Sequence, residues 1–383
     1  MPADGRADQN LIRAHIFTNI PEITIFKQSP GFSPVLNGVH FTHGLEIPED
    51  GAIDVLLMYT RASYSVPTRL PEERTIFFAG EPDVIHSYNP KFLNQFGVVY
   101  TSSPVVLETE KIEGHMCCMP FVGLDFPDFK NPLSLDWFGD LECPTDKDDK
   151  ISIVTSTKVF TPYHKARMAF IEVLKEKIPE HIRLYGFGHK QVNDKKDSLL
   201  PSKYHLAMEN GGGPHAWTEK LADPLLCYAL PFYNGCNTVG QDLPQDCIVE
   251  IDVTKPDQAI EIMQRAIKDG AWEKRLEAIR EARQLLLTKH NLMYKFAELV
   301  HRAMEKAPDI DLNARRRLIR SERSFLPHEG GRGGLGQMLL RRAMTAVDPR
   351  IELKIAPLRD KIEALRAEHR ARRRRKTEKA GSP

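Results

Sequence analysis

Short apolar runs alternate with longer polar segments along this chain, and the pattern predicts strands and helices. Three runs in the first third, 53–59, 75–82 and 97–102, are rich in Val, Ile, Phe and Tyr, and Pro- and Asn-rich stretches separate them. Runs of this length and composition are typical of strands. We therefore expect a first sheet domain over residues 10–125.

The middle of the chain alternates between the two patterns. Residues 150–156 have the composition of a buried strand, and the apolar positions of 163–174 recur at helical spacing. Further strand-like runs follow, and after them come three segments with helical periodicity, 256–270, 271–287 and 291–306. Alternating strands and helices predict a parallel sheet. We expect a second α/β domain over residues 150–313, joined to the first by a Pro- and Asp-rich linker over 126–149.

Residues 203–220 combine a strand, a glycine loop and a helix start. The strand ends in Glu209-Asn210, the loop contains Gly211-Gly212-Gly213, and Glu219-Lys220 stand at the start of the helix. A glycine-rich turn leaves backbone N–H groups uncovered, and the following helix points its positive end at the same place. The arrangement favours an anionic ligand such as a nucleotide-sugar. Each piece alone is equally compatible with a flexible turn or a solvated helix start.

Three of these segments, in this order, resemble the donor-binding signature of the family 10 glycosyltransferases, the α1,3/4-fucosyltransferases, in their bacterial form. They are the strand 204–210, Trp217-Thr218-Glu219-Lys220, and the run 225–235 with Leu230-Pro231-Phe232 at its centre. The resemblance implies a GT-B-like fold in which two Rossmann-type domains face each other across a cleft. It also implies inverting transfer of fucose from GDP-fucose to a hydroxyl of a glycan, of the N-acetylglucosamine type or in lipopolysaccharide or capsule.

The resemblance assigns donor-binding roles to several residues. Arg167, early in its helix, is expected at the diphosphate, where a guanidinium can hold two oxygens. Where the family has an aromatic residue, this chain has Ala216, and His215 or Trp217 is expected to take over the contact, unless the sugar pocket differs and another nucleotide-sugar is used. The full set of expected donor-binding residues is Arg167, Tyr185, Gly186, Glu209, Asn210, Trp217, Glu219 and Lys220.

Inversion requires a base for the acceptor hydroxyl, and a carboxylate within hydrogen-bond reach supplies one. The resemblance points to Glu81, which follows a strand in Phe77-Phe78-Ala79-Gly80-Glu81. Asp54 is the alternative, but it begins a strand and is expected at the opposite edge. We expect no cofactor and no metal, because Asp309-Ile310-Asp311 follows the last predicted helix of the second domain and lies far from any strand end. Arg167 and Lys220 would neutralise the leaving diphosphate instead.

Charge separates the end of the chain from the rest. Residues 314–383 carry 20 Lys and Arg against 8 Asp and Glu, a net charge of +12, whereas the whole chain has +1. The segment 335–344 has the pattern of a basic amphipathic helix, and Arg372-Arg373-Arg374-Arg375-Lys376 lies near the end. We expect this tail to bind an anionic membrane surface. A short coiled coil over 351–365, giving a homodimer, and a disordered tail are alternatives. Nucleic-acid binding is not favoured, because the tail has a single aromatic residue, Phe325.

No run approaches the ~20 apolar residues of a membrane span, and the first residues lack the apolar core of a secretion signal. We therefore expect a cytoplasmic protein, peripheral on the inner face of the membrane. Two other classes of protein predict different sequence features. A dehydrogenase would show G-x-G-x-x-G, and Gly186-Phe187-Gly188 has no third glycine. A non-catalytic glycan-binding protein would have lost Arg167, Glu219 or Lys220, and all three are present.

Overall fold

The computed structural model describes residues 11–60, 64–83, 85–115, 120–125, 128–155, 162–186, 188–307, 309–325 and 335–347. Two mainly parallel sheets with helices packed on them organise this part of the chain, one in each half. The predicted fold class, two Rossmann-type α/β domains, is confirmed.

The N-terminal half is built on a seven-stranded sheet. In chain order its elements are β1 (Ile12–Phe17), α1 (Glu22–Phe26), β2 (Val35–Leu36), β3 (Val39–Gly44), β4 (Val55–Tyr59), β5 (Val66–Thr68), β6 (Thr75–Phe78), α2 (Pro90–Leu93), β7 (Val98–Thr101) and β8 (Glu110–Glu113). The sheet has the order β2-β3-β1-β4-β6-β7-β8, and every pair except β2–β3 is parallel. The runs predicted as strands are β4, β6 and β7, which lie at its centre.

Strands β1 and β3 were not predicted, because histidines interrupt their apolar pattern. His15 of β1 is only 2% exposed, and its ring nitrogens bond to Thr42 Oγ1 at 2.8 Å and to the Gly44 carbonyl at 3.1 Å. Burial lowers the pKa of His15 to about 4, so the ring is neutral. A hydrogen-bonded neutral imidazole therefore serves as a core residue here.

The C-terminal half is built on a five-stranded parallel sheet. Its elements are α3 (Leu135–Asp140), β9 (Asp148–Thr155), α4 (Pro162–Lys177), β10 (Ile182–Gly186), α5 (Lys196–Leu199), β11 (Ser202–Met208), α6 (Glu219–Leu226), β12 (Leu230–Asn234), α7 (Val239–Asp242), β13 (Val249–Glu250), α8 (Pro256–Lys268), α9 (Ala271–Lys274) and α10 (Leu276–Leu287). The order β10-β9-β11-β12-β13 is that of a doubly wound fold, with its reversal between β9 and β11.

The chain then returns to the N-terminal half as α11 (Leu292–Lys306). Asn291 caps this helix by accepting from Met293 N at 2.9 Å and Tyr294 N at 3.3 Å. One face of α11, including the fully buried Phe296, joins the core on one side of the first sheet, where its ring lies 5.4 Å from that of Tyr59. The closing helix therefore ties the two halves together.

The segment after β8 is bound from both halves. Lys27, which is 2% exposed, donates from Nζ to the Val122 carbonyl at 2.5 Å. From the other side, Asp223 of α6 accepts the Phe121 N–H at 3.0 Å, and Asp194 accepts the Gly123 N–H at 2.9 Å. This connection is therefore fixed by buried charged groups.

Part of the predicted tail belongs to the N-terminal half. Strand β14 (Arg317–Ile319) pairs antiparallel with β5, and Ile319 is fully buried. Helix α12 (Leu335–Val347) follows, and Arg342 Nε donates to the Ser324 carbonyl at 2.9 Å. Residues 317–319, which the sequence placed in the tail, therefore pack on the N-terminal half, and the basic residues around this short strand give no strand pattern. The predicted coiled coil 351–365 and the arginine run lie outside the described residues.

No helix within the described ranges is both long enough and apolar enough to cross a membrane.

Candidate functional site

The candidate site lies at the carboxyl ends of β9 and β11, where the strand order of the second sheet reverses. In doubly wound sheets ligands bind at this switch point, in the crevice outside the strand ends. The segment after β9 leads into α4, which carries Arg167, and β11 leads into Glu209, Asn210 and the glycine loop, residues 211–218. Residues that are far apart in sequence therefore meet at one edge.

Arg167 lies in the second turn of α4 and is 9% exposed. Its Nη1 donates to Asn210 Oδ1 at 3.2 Å, so the two predicted residues are in direct contact. Burial lowers the pKa of the guanidinium, which still remains charged at any physiological pH. A desolvated cation of this kind gains strongly from an anionic ligand, because the low local dielectric strengthens the attraction.

Glu209 holds the C-terminal end of the glycine loop in place. It is 4% exposed, and its two oxygens accept from Thr218 N at 2.8 Å and Thr218 Oγ1 at 2.7 Å. Thr218 is the N-cap of α6, so this carboxylate joins the end of β11 to the helix start. Burial raises the pKa of Glu209 to about 6. Glu209 was expected to contact the donor. In the structure it supports the glycine loop through Thr218.

Glu219 and Lys220 are both half-buried, at the first turn of α6. Lys220 Nζ lies 2.8 Å from Glu219 Oε1 and 3.8 Å from Glu209 Oε2. Burial alone would raise the pKa of Glu219, but the ammonium groups of Lys220 and Lys195 outweigh it and lower the pKa. The pair therefore presents an ionised carboxylate and an ammonium at a helix N-terminus.

Two expected ligand contacts are enclosed by protein. Trp217 is 0% exposed, and its Nε1 donates to Asp242 Oδ2 at 2.9 Å. The side chain of Tyr185 is also buried, with Lys190 Nζ 5.8 Å from its ring centre. Both side chains therefore pack inside the protein beside the site. The resemblance that predicts donor-binding roles for Tyr185 and Trp217 rests on local sequence, which does not distinguish a pocket residue from a core residue.

Gly186 has a backbone role at the same edge. Its φ is +108°, and a Cβ there would lie 2.1 Å from the Thr155 carbonyl oxygen. Glycine is required because the ends of β9 and β10 approach each other this closely. Gly186, one of the expected donor-binding residues, thus sets the spacing of two strand ends.

A buried ion pair beneath α6 was not predicted. Asp223, with no exposed surface, pairs with Lys195 Nζ at 2.7 Å and also accepts two backbone N–H groups of the segment after β8. Burial raises the pKa of Asp223 against the effect of Lys195. The only sequence signal for it is an aspartate on the apolar face of α6, which indicates a buried partner.

Glu81 lies in the other half, at the carboxyl end of β6, and is half-buried. A Cβ on the preceding Gly80 would lie 2.2 Å from Thr60 Cγ2, so close packing against the neighbouring strand end fixes the backbone that carries Glu81. Asp54 precedes β4 at the opposite edge and is held by Arg13, with Nη2 2.6 Å from Oδ1. Asp54 therefore lies at the edge of the sheet opposite Glu81.

The described residues contain no group of three or more His, Cys, Asp or Glu side chains arranged to hold a metal ion. A cavity of about 520 Å³ lies between the start of β13, the end of α8 and α9. Both acidic and basic residues line it, and none belongs to the candidate site. This cavity is therefore separate from the candidate site at the strand ends.

Comparison with known proteins gives fold neighbours only. No protein-family model matches the chain, and no curated protein matches it in sequence. Among solved structures, an α1,3-fucosyltransferase with GDP-fucose aligns over 82% of this chain and 96% of its own, with 17% identity and a TM-score of 0.48. An α1,3-fucosyltransferase with GDP aligns over 79% of this chain and 93% of its own, with 17% identity and a TM-score of 0.48. A UDP-forming trehalose-phosphate synthase from Burkholderia xenovorans, in complex with glucose-6-phosphate, aligns over 67% of this chain and 74% of its own. Its identity is 11% and its TM-score 0.43.

Proposed function

We propose that this protein is an inverting glycosyltransferase that transfers fucose from GDP-fucose to a hydroxyl group of a glycan. The observation that carries the proposal is the convergence of Arg167, Asn210, Glu219 and Lys220 at the switch point of the second sheet. These residues stand in the order of the fucosyltransferase signature, and their chemistry fits a nucleoside diphosphate.

Each group has a distinct part in binding the donor. The Arg167 guanidinium and the Lys220 ammonium meet the diphosphate, since both are cationic and both lie at the loop that exposes backbone N–H groups. The ionised Glu219 accepts hydrogen bonds from sugar hydroxyls, and the ribose of the nucleotide is the sugar that we assign to it. Glu209 holds Thr218 and so orients the two residues that follow it.

Transfer with inversion needs the acceptor oxygen to attack the anomeric carbon from the face opposite the diphosphate. Glu81 takes the proton of the acceptor hydroxyl as the new C–O bond forms. The C–O bond to GDP breaks at the same time, and Arg167 and Lys220 stabilise the charge that develops on the leaving phosphate. The two charges substitute for a divalent cation, so no metal is required.

A different nucleotide-sugar is the second candidate donor. The observation behind it is the burial of Trp217, which leaves the family's aromatic contact near the sugar without its expected replacement. His215 does not supply that contact freely either, since its Nδ1 bonds to Asp242 Oδ2 at 3.2 Å. A changed sugar pocket would keep the diphosphate groups and alter only the hexose contacts.

The acceptor and the location complete the proposal. The N-terminal half would take the glycan, with lipopolysaccharide or capsule as the expected source. The basic tail would hold the enzyme at the cytoplasmic face of the membrane, where such acceptors are assembled. In α12, Leu339 is 53% and Leu340 61% exposed, an apolar surface that would face the lipid.

Calorimetric titration of the full chain with GDP, UDP, GDP-fucose, GDP-mannose and UDP-glucose tests the function. We expect GDP to bind more tightly than UDP, and GDP-fucose to be hydrolysed slowly without an acceptor. Preference for GDP with another sugar would favour the second candidate donor. Failure of all five ligands to bind would contradict the glycosyltransferase assignment.

A further inference from the structure

The glycine loop is anchored at its C-terminal end by the indole of Trp217. Asp242 of α7 accepts from Trp217 Nε1 at 2.9 Å and bonds to His215 Nδ1 at 3.2 Å. His215 has a left-handed backbone with φ of 53°, and its N–H donates to Thr238 Oγ1 at 2.8 Å. Since Thr218 follows Trp217 directly, the position of this indole sets the start of α6.

The N-terminal half covers one face of that indole. The ring of His115 stacks on Trp217 with centroids 4.7 Å apart and an interplanar angle of 15°. His115 follows β8, and its carbonyl accepts from the hydroxyl of Tyr100 in β7 at 2.9 Å. A Cβ on Gly114 would lie 2.5 Å from that hydroxyl, so glycine permits the close approach. His115 is therefore fixed to the first sheet.

The segment joining the two halves meets the same indole. His290, between α10 and α11, is hydrogen-bonded through Nδ1 to His115 Nε2, and the two rings are 4.1 Å apart at 85°. Its Nε2 donates to the Asp242 carbonyl at 2.8 Å. The next residue, Asn291, donates from Nδ2 to the Gln28 carbonyl of the N-terminal half at 3.1 Å. Trp217 thus lies where both halves and their connection meet.

We propose that His115 is a positioning residue for the donor site. By stacking on Trp217, it makes the placement of Thr218, Glu219 and Lys220 depend on how the N-terminal half sits against the C-terminal half. The consequence for donor affinity rests on the proposed function. Because coupling is reciprocal, a ligand that strengthens the contact of the two halves at His115 would tighten donor binding. Donor binding would in turn strengthen that contact.

A matched pair of substitutions at one position tests the role of the flat ring. His115→Leu fills the space but loses both the stacking and the bond to His290, whereas His115→Phe keeps a ring over Trp217. We expect His115→Leu to weaken GDP binding by about tenfold, within the usual range of coupling between sites. His115→Phe should stay within about threefold of wild type. The control is His15→Ala, a buried histidine of β1 whose loss should lower stability and leave GDP affinity unchanged.

Hydrogen exchange of residues 211–220 in the ligand-free full-length protein gives a second measurement that needs no nucleotide. Exchange there should be faster in His115→Leu, and unchanged in His115→Phe and His15→Ala. Equal loosening of this segment in His15→Ala, or unchanged exchange in a folded His115→Leu protein, would overturn the inference. If wild type binds no nucleotide, the proposed function fails, while the exchange comparison still decides whether His115 positions the loop.

Discussion

Two glutamates that flank the glycine loop show how neighbouring charges set the chemistry of a residue. Burial raises the pKa of Glu209 to about 6, and Thr218 occupies both of its oxygens. Burial also acts to raise the pKa of Glu219, but Lys220 and Lys195 lower it below the ordinary value. Glu219 therefore carries a negative charge at the start of α6, and Glu209 supports the glycine loop through Thr218.

Lys220 is expected to supply one charged hydrogen bond to the diphosphate. Lys220→Ala should raise the Kd for GDP at least tenfold, which corresponds to ~1.5–3 kcal/mol for a charge-assisted bond. Calorimetry on the purified variant measures this. Lys203→Ala is the matched control, because Lys203 pairs with Asp149 at 2.9 Å and Glu273 at 2.7 Å, at the amino end of β11. Equal GDP affinity in Lys220→Ala and wild type would contradict the assignment.

Glu81 is expected to act on the rate of transfer and not on donor binding. Glu81→Gln should lose roughly 100-fold or more in transfer rate, the usual size of a general-base contribution, with GDP affinity unchanged. Steady-state transfer and calorimetry on the same preparation separate the two effects. Asp54→Asn, at the other edge of the sheet, should transfer normally with somewhat lower stability, since it weakens the bond to Arg13. A Glu81→Gln enzyme with near-normal transfer would move the base elsewhere.

At the scale of elements, the end of β12 is packed against the end of β11. A Cβ on Gly235 would lie 2.5 Å from Glu209 Cγ and 2.6 Å from the Tyr233 hydroxyl. Gly235→Ala should therefore displace Glu209 from Thr218 and weaken GDP binding several-fold, although Gly235 itself contacts no proposed ligand group. Gly139→Ala is the control, because it lies exposed in α3 with nothing within 4 Å of its Cβ position. That change should raise stability by ~0.5–1 kcal/mol and leave binding alone.

Strand β14 makes the end of the fold testable by truncation. Arg317 donates to the Leu70 carbonyl at 3.0 Å, the Gln95 carbonyl at 3.0 Å and Thr75 Oγ1 at 2.8 Å, and burial lowers the pKa of its guanidinium. A chain ending at Phe325 should melt within a few degrees of the full-length protein. One ending at Asn313 leaves those acceptors and the edge of β5 unpaired, and we expect a Tm lower by more than about 5 °C. Identical melting of the two truncated proteins would show that β14 contributes nothing.

At the scale of the whole molecule, charge is divided between the tail and the rest of the chain. Residues 314–383 carry a net charge of +12 against −11 for the preceding 313 residues. The full-length protein should bind vesicles containing anionic lipid, and the chain ending at Phe325 should not. Salt should weaken the binding, because the attraction is screened beyond about 8–10 Å.

Co-sedimentation at two salt concentrations, with neutral vesicles as the control, decides this point. Equal binding by the full-length and shortened proteins would rule out the membrane tether. A change from dimer to monomer on truncation would instead support the coiled coil predicted over residues 351–365.

Local sequence pattern determined the alternation of strands and helices in the second half and the residue types of the candidate site. Strand β11, the glycine loop and the N-terminus of α6 are contiguous, so their structures follow from neighbouring residues and appear in the sequence as one motif. Strands β4, β6 and β7 also follow from the local pattern, because their apolar runs are uninterrupted.

Only the tertiary structure decided which polar and aromatic side chains are buried. Trp217 stacks against His115, and Arg317 donates to three acceptors in the N-terminal half. These partners are about 100 to 250 residues away in sequence. Such partners leave no periodic signal, because burial of a histidine, arginine or tryptophan depends on hydrogen bonds that distant segments provide. The sequence therefore determined the chemistry at the strand ends, and the packing of the two halves decided which of those side chains are enclosed by protein.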